Sequence, residues 1–92
     1  MDEKIYVVFG STGEYSDRSE WMVKAFTSLE QAKELVVNAE RRAKEIFVVR
    51  GSSYSSVKGL NEFDPNMGMD YTGTQYYYDT VELVRPENGQ NP

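Results

Sequence analysis

Few side chains in this 92-residue chain could do chemistry. There is no histidine and no cysteine. The usual general base, the commonest metal ligand and any thiolate or disulfide are therefore missing from the repertoire. Carboxylates, arginine and hydroxyls remain. Glu14, Asp17, Arg18 and Asp70 are the groups an acid–base or small-ligand site would use, because carboxylate pairs can work without histidine. Nothing in their spacing selects a reaction. Asp64, Asn66 and Asp70 form an oxygen-rich stretch. It lacks the acidic alternation, central glycine and terminal glutamate of a calcium loop, so no metal and no cofactor are expected. Residues 10–19, Gly-Ser-Thr-Gly-Glu-Tyr-Ser-Asp-Arg-Ser, are rich in glycine and hydroxyls. The spacing is not that of a phosphate loop, no lysine follows Gly13, and a strand rather than a helix comes next. The segment reads either as a connection or as a recognition loop that reads a partner through Tyr15, Asp17 and Arg18.

The element on which the other segments lean spans residues 27–50. Leu29, Ala32, Leu35, Val36, Ala39, Ala43 and Ile46 fall on one face at helical spacing, and charged residues fill the other. Thr27-x-x-Glu30 fits a capping box, with Ser28-x-x-Gln31 as a second register. Helix is expected from Leu29 to Glu45, while residues 46–50 could extend it or start a short strand. Before it, residues 4–9 and 20–26 have the composition of two strands joined as a hairpin. Trp21, Val23 and Ala25 should share one face, with Trp21 as a core anchor. After it, residues 51–71 are irregular for so compact a chain, hence mobile or functional. Within residues 72–84 a third strand follows. Neither of its faces is cleanly apolar, which suggests a bulge or an edge position. The tyrosine run, residues 76–78, could be a contact surface or a shielded sheet face.

The expected fold is α+β. A mainly antiparallel sheet of three strands, or four, in β-β-α-β order and spatial order 2-1-3, carries one amphipathic helix on one face. A single domain over residues 1–85 would include the long loop, with residues 86–92 as a disordered tail.

The net charge is −5, and it is uneven. Beyond Asn61 the chain carries Glu62, Asp64, Asp70, Asp79, Glu82 and Glu87 against Arg85 alone. That balance opposes nonspecific nucleic-acid binding and permits a basic protein partner. Arg41, Arg42 and Lys44 fall near the helix C-terminus, where cations suit the helix dipole, and with Arg50 and Lys58 they form the patch a nucleic-acid binder would use, a reading the overall charge opposes. No segment has the length and apolarity of a membrane span, and the first residues do not resemble a signal peptide, so a cytoplasmic setting is expected.

Several stretches together resemble a family of small uncharacterised proteins of phages and prophages. They are Tyr6-Val7-Val8-x-Gly10-Ser11-Thr12-Gly13-Glu14-Tyr15-Ser16-Asp17-Arg18-x-x-Trp21, the alanine-rich helix, Asp64-Pro65-Asn66, and Asp70-Tyr71-Thr72-Gly73-Thr74-x-Tyr76. The resemblance covers most of the chain. It implies a virus-linked setting and transfers no catalytic residue. It also suggests that the two signature loops meet as one surface. The resulting expectation is a non-catalytic accessory protein that binds a host protein, for example an inhibitor of a host defence system. Tyr15, Asp17, Arg18, Tyr71 and Tyr76 would be its contact residues. A small-ligand-binding or enzymatic domain using the carboxylates and Arg18 is one alternative, and a self-associating domain, in its usual form a homodimer, is another.

Overall fold

The computed structural model describes residues 3–50 and 57–84. The elements follow in the order β1 (Glu3–Thr12), a single 3₁₀ turn (Tyr15–Asp17), β2 (Ser19–Phe26), α1 (Leu29–Arg50) and β3 (Thr74–Leu83). The sheet is antiparallel throughout with β1 at its centre, in the order β2-β1-β3. This is the expected α+β architecture. The tail beyond Arg85 and residues 51–56 of the expected loop lie outside the described residues.

Local chemistry explains where the elements depart from expectation. The Ser28 hydroxyl accepts the Gln31 N–H at 3.2 Å, so Ser28 rather than Thr27 supplies the cap. The helix continues through Phe47 to Arg50 instead of giving way to a strand. Its 22 residues span about 33 Å. Ala43 and Ile46 are buried in the core near this end, which extends the apolar stripe past Glu45. Of the two readings expected for the third strand, the structure gives the edge position, and the bulge lies in the second strand. Lys24 pairs with Val8 and Met22 with Phe9, leaving Val23 as the extra residue of a bulge. The face switch that follows moves Ala25 off the helix side and brings Phe26, the partner of Tyr6, onto it. β3 pairs with β1 without any shift and forms an edge of the sheet.

One face of the sheet carries the core, in which Ala39, Ala43, Ile46, Val57, Met67 and Tyr76 pack with Trp21, Val23 and Phe63 around them. Gly10 lies under Trp21, and a Cβ there would stand 2.7 Å from the indole ring. Only glycine lets the indole lie this close to the backbone. Alternation puts Val7, Phe9, Met22, Tyr77, Asp79 and Val81 on the opposite face, which no helix covers among the described residues.

Residues 57–73 form no strand and no helix, yet they are built into the core. Val57, Asn61, Asp64 and Met67 are buried. The segment satisfies its own backbone through successive turns, Leu60 N–H to the Val57 carbonyl, Asp64 N–H to Asn61 and Met67 N–H to Asp64, at 3.0–3.1 Å. The Asn61 side chain ties it to the helix, donating to the Ala39 carbonyl at 3.1 Å and accepting the Phe63 N–H at 2.9 Å. This described part of the long loop is a third packing layer whose order comes from side-chain hydrogen bonds rather than a ladder.

Candidate protein-binding surface

Two carboxylates organise the irregular segment. Asp64 is 2 % exposed, and its Oδ2 accepts the Trp21 indole N–H at 2.8 Å and the Tyr76 hydroxyl at 2.7 Å. Oδ1 accepts the Asn66 N–H at 3.3 Å. Burial, followed by the bond to Asp64, pushes the Tyr76 phenol well above its ordinary range. Tyr76 is thus a core residue. At 5 % exposure it has no surface to offer, which corrects the expectation that it contacts a partner.

Asp70 sits nearer the surface and joins the two signature loops. Its Oδ1 accepts the Thr72 hydroxyl at 2.5 Å, the Thr72 N–H at 2.8 Å and the Thr12 hydroxyl at 3.2 Å. Thr12 also lies 2.6 Å from the Gly73 carbonyl and accepts the Asp70 N–H at 2.9 Å. Thr72 Oγ1 accepts the Gly13 N–H at 3.1 Å. The Thr72 hydroxyl is the main cause that holds the Asp70 carboxyl below its usual range, with the Thr72 N–H and the Thr12 hydroxyl adding to it against the opposing effect of burial. A carboxylate kept ionised and loaded with donors is a staple rather than a proton shuttle. Gly73 closes the turn at φ +85°, where a side chain would be strained.

The staple fixes the loop that carries the other predicted residues. Tyr15 is 93 % exposed and holds φ at +52°, an unusual conformation for a residue with a side chain. Tyr71, on the bonded turn, is also exposed. Arg18 leaves the 3₁₀ turn toward β2 and binds Glu20 at 2.6 Å, and the Tyr77 hydroxyl donates to the same Glu20 oxygen at 3.0 Å. Hydrogen bonds from Arg18 and then Tyr77 hold the Glu20 carboxyl below its ordinary value. Tyr77 stacks on Phe9, with ring centroids 5.4 Å apart. The loop end therefore runs into the open face of the sheet through Arg18, Glu20 and Tyr77, with exposed Met22 alongside. Between the loops lies a polar recess of about 40 Å³ lined by Thr12, Gly13, Arg18, Thr72, Gly73 and Gln75. It has room for roughly one water.

Of the predicted residues, the structure gathers Tyr15, Arg18 and Tyr71 on one end, places Tyr76 inside, and leaves the Asp17 side chain outside the described residues. Sequence reasoning did not single out Glu20, and it weighed Tyr77 only within the tyrosine run, residues 76–78. Glu20 follows Arg18 at strand spacing, a signal that could have been used; Tyr77 comes close only through the β1–β3 register. The basic cluster of the helix is already engaged with polar neighbours. Arg41 bonds Asn38, Arg42 bonds Glu45 and Glu62, and Lys44 lies 3.9 Å from Glu40. Among the described residues no helix is long and apolar enough to cross a membrane. Comparison with family models, curated proteins and solved structures returned no match.

Proposed function

We propose that the chain is a non-catalytic accessory protein of viral origin that docks on a host protein, with the Tyr15–Arg18 loop, Tyr71 and the adjoining open sheet face as its contact surface. One observation carries this reading. An aromatic ring is held almost fully in solvent on a left-handed backbone, and the loop that holds it is braced to a second loop by the Asp70 staple. Such a backbone costs on the order of 1 kcal/mol, and natural structures keep such conformations chiefly at functional sites. Tyrosine, arginine and methionine, gathered here, are the residues enriched where proteins meet. Pre-bracing the loop lowers the entropy lost on docking. The resemblance to phage and prophage proteins supplies the setting, and an inhibitor of a host defence system is the kind of role it suggests.

The test is affinity capture of the tagged chain from bacterial host lysate beside a Tyr15→Ala, Arg18→Ala double variant. One stoichiometric partner, lost or reduced about 1,000-fold in affinity by the double variant, is the expected result, since two hot-spot truncations at about 2 kcal/mol each sum to about 4 kcal/mol. A partner retained by the variant would move the surface elsewhere. A lysate that yields none would favour the ligand-binding alternative.

A further inference from the structure

The outer edge of β3 points to a second interface, separate from the loop surface and independent of the docking proposal. Glu40 Oε1 accepts the Tyr76 N–H at 3.2 Å, so this N–H faces away from β1. Because β3 pairs with β1 without a register shift, alternation turns the N–H and C=O groups of Tyr78, Thr80 and Glu82 outward as well. Every residue from Tyr77 to Leu83 is exposed. The edge is straight and long, whereas the opposite edge strand, β2, is bulged at Val23 and carries Lys24 beside the bulge. Bulges and lysines are the usual guards of an edge, and β3 lacks both.

We propose that this edge takes a second copy of the chain, β3 against β3 antiparallel about a two-fold axis through Thr80, to give one continuous six-stranded sheet. The sequence of the edge selects both the occupant and the register. With the axis at Thr80, all of the outward residues find partners within the strand, Thr80 facing Thr80 and Tyr78 facing Glu82. Tyr77 then lies across from Leu83 and Asp79 from Val81, so no acid opposes an acid. Axes at Asp79 or Glu82 would set like carboxylates face to face, which is destabilising. An axis at Tyr78 would need the Tyr76 N–H that Glu40 already holds. An axis at Val81 leaves Tyr78 without a partner inside the strand. The Thr80 register also brings the exposed Val84 of the second copy opposite Tyr76. There Glu40 forms part of the wall of an apolar groove of about 520 Å³, lined by Val36, Val37, Lys44 and Val48. Within one copy, the Thr80 N–H donates to the exposed Asp79 carboxylate at 3.0 Å, a contact that pairing would replace.

The experiment is sedimentation equilibrium of the full chain over a range of concentrations, with Thr80→Lys and Thr80→Asp variants studied singly and mixed. Wild type should show a monomer–dimer equilibrium. Each variant alone should associate about fivefold more weakly or worse, with an unchanged circular dichroism spectrum, and the equimolar mixture should recover association. Asp79→Ala, which frees the Thr80 N–H, should tighten it. Overturning results are a wild type that stays monomeric throughout, a Thr80→Lys variant that associates as well as wild type, or a mixture no tighter than its components.

Discussion

Asp64 and Asp70 belong to the same irregular segment and use the same chemistry, a single carboxylate collecting donors from distant parts of the chain. They differ in burial. Asp64 is enclosed and binds Trp21 from β2 and Tyr76 from β3, so it closes the core. Asp70 is half-buried and binds Thr12 and Thr72, so it positions a surface. An inner carboxylate whose donors cannot turn to water carries stability, whereas an outer one whose donors can be rehydrated carries geometry. The contrast shows how a small chain can order a long segment without strands or helices, and how one motif serves both stability and presentation.

Removing the inner carboxylate should break the comparison most severely. Asp64→Ala leaves a half-buried indole N–H and a buried phenol without an acceptor, and should cost about 3 kcal/mol, read from urea unfolding followed by far-UV circular dichroism. For a chain of this size that is a large share of the total. Asp64→Asn, which keeps an acceptor oxygen, should cost roughly half as much.

At the outer carboxylate, Asp70→Asn should cost about 1 kcal/mol and act mainly on loop order, visible as faster amide exchange at Gly13 and Thr72. It also carries a pH signature. The folded-state pKa of Asp70 is depressed, so its contribution is complete above the unfolded carboxylate value of about 4 and is lost as pH falls through the folded value. The wild type should therefore lose stability on acidification more steeply than Asp70→Asn in that window. Equal slopes would mean that the staple contributes nothing to folding.

The smallest effect belongs to the loop itself. Tyr15→Gly relieves the left-handed backbone while removing the ring, and its thermal midpoint should match or slightly exceed that of wild type, within about 1 kcal/mol equivalent. A marked loss of stability would mean that the exposed ring has a structural partner, and would weaken the case for presentation.

The sheet order, the helix and the anchoring role of Trp21 were legible because period-2 and period-3.6 patterns are local. The inner clamp was not. Asp64 follows no pattern that marks it as buried, and its donors lie 43 residues back and 12 residues ahead. The bulge at Val23 was equally hidden, because it follows from the register with β1 and not from the composition of β2. Proline, asparagine and glycine in residues 61–70 read as a surface loop, since turn chemistry looks alike whether the side chains point outward or clamp a core. The surface residues were half legible. Tyr15, Arg18 and Tyr71 stood out by type, while Tyr76 was hidden among neighbouring tyrosines until pairing with Gly10 turned it inward.

The central position of β1 has a consequence for the newborn chain. Translation delivers β1 first and its partner β3 last, with the clamp residues Asp64 and Tyr76 also in the final third. Until β3 clears the ribosome, β1 can pair only with β2, leaving one of its own edges bare, and Trp21 is without its Asp64 acceptor until that residue emerges. Completion of this sheet therefore waits on the emergence of β3. A stalled or truncated nascent chain would expose the most hydrophobic strand of the protein to whatever chaperone or sheet edge arrives first.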